Sequence, residues 1–281
     1  VSDSVRVFAP AKINLFLHVG DRRADGFHAL QSLVVFAEVG DELELRRSAT
    51  TSLSIQGPFA EGLDGGDDNL VLKAARLMSL EAAISLTKNL PVASGIGGGS
   101  ADAAAALRGL AQLWSLKDGE RLARLAAPEI GSDVPVCVDS KPAWMEGRGE
   151  ILTPVAGLPA MPMLLVNPGV STPTAKVFRA LQRRRGATLA PVLSFGGPDD
   201  LLAFLRATGN DLEAPAIGLW PVIGETLTLL SAQRGALLTR MSGSGATCFG
   251  LFERGEDAER AANVIALAHA DWWVRATRIA Q

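Results

Sequence analysis

Three sets of residues have the types and spacing to do chemistry. The first is residues 91–107, Pro-Val-Ala-Ser-Gly-Ile-Gly-Gly-Gly-Ser-Ala-Asp-Ala-Ala-Ala-Ala-Leu, where a glycine cluster runs straight into an alanine-rich helix. Glycines admit positive φ and leave backbone N–H groups room to converge. A helix start adds unpaired donors and the positive end of the dipole. Pro91, Val92, Ala93, Ser94, Gly95, Ile96, Gly97, Gly98, Gly99, Ser100 and Ala101 therefore read as an anion cradle suited to phosphate. A plain strand-to-helix turn has little use for Gly95, Gly97, Gly98 and Gly99 in so short a run. The second set is Lys12 and Asn14, in Pro10-Ala11-Lys12-Ile13-Asn14-Leu15. On a strand they share a face, about 7 Å apart. A lysine among apolar neighbours needs a partner if it is buried; an edge-strand lysine facing water is the bland alternative. The third is Asp133, in Gly131-Ser132-Asp133-Val134-Pro135-Val136. Its ordinary use would be to cap a helix. Near Lys12 it would instead stay ionised and could accept a proton from an attacking hydroxyl.

The phosphate loop narrows by exclusion. A Walker loop needs Lys-Ser/Thr after its last glycine, and here Ser100-Ala101 follows Gly99. A dinucleotide fingerprint needs G-x-G-x-x-G after the first strand, which Gly95-x-Gly97-x-Gly99 does not match. The protein-kinase signatures His-Arg-Asp and Asp-Phe-Gly are absent. With no lysine in the loop, neutralisation of a polyphosphate falls to another segment, and Lys12 is the leading candidate.

These residues need elements to hold them. Residues 5–9, 11–19, 33–36, 41–46 and 52–56 read as strands, with Lys12, Asn14, Phe16 and His18 on one face of the second. A helix over 69–79 has Asn69 as its N-cap; a short strand at 84–88 precedes the glycine loop, and helices follow at 101–114 and 122–126. Residues 154–162 hold three prolines and a glycine and read as a linker, giving domains 1–153 and 163–281. Beyond it come a strand at 163–166, helices at 174–184, 199–206 and 220–233, strands at 236–240 and 246–252 around Ser242-Gly243-Ser244-Gly245, a helix at 258–268 and a last strand at 272–278. Interleaving of this kind predicts α+β in both halves.

Composition excludes several classes. The chain has 281 residues, 48% of them hydrophobic, which is enough for a substantial core. No uninterrupted apolar run is long enough for a membrane span, and no secretory signal is visible at the start. A net charge of −3 argues against nucleic acid as a partner, and Arg183-Arg184-Arg185 reads as a solvated face. Cys137 and Cys248, far apart in apolar surroundings, suit a reducing cytoplasm rather than a disulfide or zinc site. His18, His28 and His269 show no metal-ligand spacing.

Three separated segments, residues 10–15, 91–104 and 241–247 (Met-Ser-Gly-Ser-Gly-Ala-Thr), resemble the three motifs of the GHMP small-molecule kinases, in order and over nearly the full length. The resemblance implies an N-terminal ribosomal-protein-S5-domain-2-like domain and a C-terminal ferredoxin-like α/β sandwich, with ATP and Mg²⁺ as cofactors. Residues 23–30 (Arg-Ala-Asp-Gly-Phe-His-Ala-Leu), 131–135 and 210–213 (Asn-Asp-Leu-Glu) resemble the branch that acts on a cytidine-diphosphate sugar alcohol. This implies phosphorylation of the C2 hydroxyl of cytidine diphosphate methylerythritol, in the non-mevalonate isoprenoid route, by a cytoplasmic monomer or weak homodimer.

Carried over residue by residue, Lys12 and Asp133 become the catalytic pair. Asn14 would contact the diphosphate-erythritol end, and His28 the cytosine. Phe27 and Phe178 would sandwich the base, with Thr174 on the same wall; Asn69 would lie near the adenine or the loop. The chain departs from the pattern in places. Phe27 replaces a tyrosine, Ile96 a leucine, and Asp102 an asparagine found in many relatives. The charge of Asp102 would be met by Mg²⁺ or turned away. No spacing specifies the metal ligands, though Ser100 is a candidate contact. A homoserine or mevalonate kinase of the same superfamily keeps the fold and Asp133 but predicts no cytidine site; a non-catalytic nucleotide-binding module predicts no dependence on Asp133.

Overall fold

The computed structural model describes residues 3–24, 26, 28–63, 65, 66, 68–182 and 188–281. In chain order the elements are β1 (Ser4–Arg22), β2 (His28–Arg47), β3 (Ser52–Gln56), α1 (Leu70–Met78), β4 (Ala82–Thr87), α2 (Gly98–Leu113), α3 (Gly119–Ile130), α4 (Val134–Asp139), β5 (Ala143–Gly147), β6 (Ile151–Pro154), β7 (Pro162–Asn167), α5 (Thr174–Ala180), α6 (Pro198–Ala207), α7 (Glu213–Leu219), α8 (Val222–Ser231), β8 (Ala236–Met241), β9 (Cys248–Phe252), α9 (Gly255–Ala268) and β10 (Trp273–Arg278). They divide into two compact units. One takes Val1–Lys12, Gly40–Val92 and Gly97–Ser140; the other takes Ile13–Val39, Ala93–Ile96 and Lys141–Gln281. Along the chain, β1, β2 and the glycine loop each pass from one unit to the other.

In the first unit, residues Glu42–Arg47 of β2 pair antiparallel with β4, and β4 pairs parallel with β3. Helices α1 to α4 pack on one another beside these strands. Asn69 caps α1 as its sequence predicts, its side-chain oxygen accepting the Val71 N–H at 2.9 Å. Helix α2 is rich in alanine because it is crowded. Ala101 and residues 103–106 are buried, and a Cβ on Gly109 would come within 2.5 Å of the Leu45 side chain.

Two strands that the sequence reading divides are continuous here. β1 runs through Pro10, and β2 through Gly40. A Cβ at Gly40 would lie 2.2 Å from the carbonyl oxygen of Ala9, so this glycine marks a close approach of two strands rather than a break.

In the second unit, residues Leu30–Val34 of β2 pair antiparallel with β5, which pairs antiparallel with β6. A separate four-stranded antiparallel sheet has the order β10-β7-β9-β8. Helices α8 and α9 pack on it, giving the βαββαβ order of a ferredoxin-like sandwich. Its core includes Leu164, Val166, Ile223, Leu230, Phe252 and Ile265.

Helix α7 was not anticipated, because Pro215 and Gly218 hide its short pattern. The helix expected over 220–233 is narrower, and that expected at 101 begins earlier, at Gly98. Helix α5 starts at Thr174 as expected and ends at Ala180; Arg183, Arg184 and Arg185 lie outside the described residues.

Candidate active site

In the first unit, β1 delivers Lys12 to the residue that opens α4. Lys12 Nζ donates to Asp133 Oδ2 at 2.7 Å. The lysine side chain is 4% exposed and the Asp133 side chain 35%. Asp133 occupies the N-cap position of α4 but makes no capping hydrogen bond, so its carboxylate is committed to the lysine and to solvent. The edge-strand alternative for Lys12 and the capping alternative for Asp133 both give way to one charge-assisted pair. Arg108 of α2 braces it, donating to the Cys137 and Val138 carbonyls at the end of α4 (2.8 and 3.2 Å) and to the Phe8 carbonyl of β1 (2.7 Å). The nearby Cys137 is buried, which pushes its thiol up to about 12 and leaves it protonated at neutral pH.

The glycine loop meets this pair at its outgoing end. Gly97 is left-handed (φ 65°), and a Cβ there would sit 3.1 Å from Lys12 Cβ. It stands at the N-cap of α2 without a side-chain cap, so the helix presents its first N–H groups uncovered by its own cap residue. Pro91, Ile96 and Ala101 are buried, whereas Val92, Ala93 and Gly99 are exposed.

A second lysine escaped the sequence reading. Lys88 follows β4 and is buried between Asp41 and Asp102; its Nζ donates to Asp102 Oδ2 at 2.8 Å and also to Asp41 Oδ2. Asp102 is therefore not turned to solvent, one of the two outcomes the sequence suggests, but held inward by a lysine. Burial pushes its carboxyl up to about 7, against the pull of Lys88. Burial also works to lower the Lys88 pKa, but the two carboxylates outweigh it and hold the ammonium above its ordinary range. Among the described residues no group of three or more His, Cys, Asp or Glu side chains is placed to hold a metal ion.

In the second unit, the middle of the loop is tied to the third motif. Thr247 N–H donates to the Ser94 carbonyl (3.0 Å), and the Ser242 hydroxyl donates to the Gly95 carbonyl (3.0 Å). Gly95 is left-handed (φ 78°), and a Cβ there would lie 2.4 Å from the Ser242 carbonyl. Asn14 is buried in the same network: its backbone N–H donates to Ser242 Oγ (3.1 Å) and its carboxamide to Ser32 Oγ (2.8 Å). Asn210 donates to the Met241 and Gly243 carbonyls, both at 2.8 Å.

Of the residues the sequence suggests for the acceptor wall, His28 and Phe178 meet within this unit. The rings of His28 and Phe178 stack, with centroids 5.5 Å apart and planes at 21°. Thr174 and Ser244 share a hydrogen bond of 2.9 Å between their hydroxyls. Phe27 lies outside the described residues.

Residues 69–141 match the GHMP kinases N terminal domain, and residues 178–270 match the GHMP kinases C terminal domain. On this fold those matches define the class: an ATP-dependent small-molecule kinase. Over 97% of the chain it is 53% identical to 4-diphosphocytidyl-2-C-methyl-D-erythritol kinase of Cereibacter sphaeroides, covering 98% of that protein. It is 50% identical to the enzyme of the same name from Parvibaculum lavamentivorans, with 98% of each chain covered. A crystal structure of 4-(cytidine 5'-diphospho)-2C-methyl-D-erythritol kinase is similar at a TM-score of 0.77 and 33% identity, covering 99% of this chain and 100% of its own. The chain belongs to the GHMP kinases, and within them to the family of these 4-diphosphocytidyl-2-C-methyl-D-erythritol kinases.

Proposed function

We propose that this kinase transfers the γ-phosphoryl group of ATP to the C2 hydroxyl of 4-diphosphocytidyl-2-C-methyl-D-erythritol, a step in the non-mevalonate synthesis of isoprenoid precursors. The names of the relatives support the acceptor. The observation that carries the chemistry is the Lys12–Asp133 pair, a buried cation holding a carboxylate that solvent still reaches.

Asp133 orients the acceptor hydroxyl and takes its proton as the oxygen attacks the γ-phosphorus; the bond to the ADP oxygen breaks. Lys12 holds Asp133 and stabilises charge on the transferring group. Phosphoryl transfer has a loose transition state, so placement and charge stabilisation matter more than base strength.

The remaining residues bind. Backbone N–H groups of the glycine loop and the start of α2 cradle the ATP phosphates, and Asn69 lies on the adenine side. His28 hydrogen-bonds the cytosine, which Phe178 and Phe27 sandwich. Thr174 belongs to that wall, and Asn14 serves the diphosphate-erythritol end. Mg²⁺ usually takes only one or two protein oxygens and finds the rest on substrate phosphates and water. Ser100 fits that demand: it is a hydroxyl in the first turn of α2 and is not fully buried. Bound there with ATP, Mg²⁺ would supply neutralisation of phosphate charge.

A coupled ADP-release assay with 4-diphosphocytidyl-2-C-methyl-D-erythritol tests the reading, and the expected result is turnover that depends on that acceptor. Turnover of homoserine or mevalonate, with none of the cytidine compound, would overturn it.

A further inference from the structure

We propose that Lys88, with Asp41 and Asp102, is a positioning cluster that staples the two ends of the phosphate-binding loop and thereby sets the kinase's affinity for its nucleotide. The proposal rests on the reading of the glycine loop as the cradle for the ATP phosphates.

The incoming end of the loop is held through Asp41. One of its oxygens accepts the backbone N–H groups of Asn89 (2.5 Å) and Leu90 (2.8 Å), and the other accepts from Lys88. Asn89 adds a side-chain hydrogen bond to the Gly40 carbonyl at 3.3 Å. The outgoing end is held through α2, where Asp102 accepts from the same ammonium at 2.8 Å. Lys88 Nζ also lies 3.0 Å from where a Cβ of Gly98 would stand, so the first residue of α2 rests directly on the charge. One ammonium thus joins the residues just before Pro91 to those just after Gly97. The backbone of Lys88 is pinned as well: its N–H donates to the Gln56 carbonyl (2.7 Å), and its carbonyl accepts from Phe59 N–H (3.2 Å).

The cluster is placed to hold, not to react. The side chains of Lys88, Asp41 and Asp102 are 4%, 0% and 4% exposed, and the hydrogen bonds of the ammonium go to the two carboxylates. A buried ionic group adds little to stability over well-packed apolar residues of similar size. Its presence here is better explained by the geometry it imposes. The Asp102 oxygen that does not face Lys88 finds no hydrogen-bond partner among the described residues, so the cluster retains a buried acceptor that packing alone would remove.

Replacing Lys88 alone leaves two buried carboxylates and invites misfolding. The paired variant Lys88→Met/Asp102→Leu removes both charges together, and Asp41 keeps its two backbone donors. ADP titration calorimetry and acceptor kinetics are read on the full-length enzyme. Expected for the paired variant are an ADP Kd and ATP KM raised about tenfold or more, with the acceptor KM within about twofold of the parent. Asp102→Asn keeps an acceptor for Lys88 and should stay within about threefold of the parent for ADP. A folded paired variant with parental ADP affinity would overturn the proposal, and so would an acceptor KM that rises as far as the ATP KM. Gly97→Val separates the two readings. If it leaves ADP affinity intact, the loop is not the cradle; if it weakens ADP and the paired variant does not, the staple alone fails.

Discussion

Two buried lysines sit in the same compact unit, each bonded to carboxylate, and they differ in access. Lys12 holds a single carboxylate, that of Asp133, with a third of its side chain open to solvent. Lys88 holds two, and the whole cluster is closed to solvent. The difference teaches that charge type and burial do not by themselves mark a catalytic group. An open carboxylate can meet an acceptor hydroxyl and give up its place beside the lysine. A closed one can only fix what it touches: Asp41 bonds the backbone that leads into the glycine loop, and Asp102 ties the helix that follows the loop to Lys88.

That contrast can be broken at several points. The largest effect should come from Asp133→Asn, which keeps the size and a hydrogen bond but removes the proton acceptor. Its kcat should fall by about a thousandfold, within the range for general-base loss, with both KM values little changed. Steady-state kinetics check this, and a loss of less than about tenfold would mean that the open pair is not the reacting pair.

Phe178→Ala acts outside both lysines. It should raise the acceptor KM by about tenfold, as loss of an aromatic face predicts, and leave the ATP KM unchanged. An equal rise in both would place Phe178 in the core rather than at the base.

The smallest effect concerns stability. The Asp102 carboxyl sits at about 7 in the folded chain against an ordinary 3.8, because burial disfavours its charge. The folded state therefore binds this proton more tightly than the unfolded chain. Its contribution is fully present below about pH 4 and is lost as pH rises through about 7. Lys88, Asp41 and the more distant Cys137 are the titratable groups that bear on it. Asp102→Asn should flatten the fall in Tm between about pH 5 and pH 7, by a few degrees in thermal melts. An unchanged slope would show that Asp102 does not titrate there.

Lys12 and Asp133 each stand out in the sequence, but they lie 121 positions apart and it is the resemblance to the GHMP kinases that makes them a pair; Lys88 and Asp41 lie outside the motifs that carry that resemblance, and their cluster was not legible. Lys12 lies in the middle of an apolar strand, where a charge is conspicuous, and the run of glycines before α2 is conspicuous in the same way. Lys88 falls at the end of a strand, where a lysine reads as solvated, and Asp41 follows a glycine that reads as a turn. Their partners are 47 and 14 positions away in the chain, a pairing no local pattern displays. The same limit explains the elements. Asn69 as a cap and the strand at Ser52–Gln56 follow from local chemistry. The continuity of β2 through Gly40 depends on how closely β1 approaches, which is a tertiary fact.

The most direct test sets the two lysines side by side in single-turnover phosphoryl transfer at saturating ATP and acceptor. Lys12→Met should remain slower than the parent by about a hundredfold or more, because stabilisation of the transferring charge is lost and no concentration of substrate restores it. Lys88→Met/Asp102→Leu should approach the parental rate once ATP saturates. Equal slowing of the two at saturation, or a parental rate for Lys12→Met, would contradict the division between a pair that reacts and a cluster that holds.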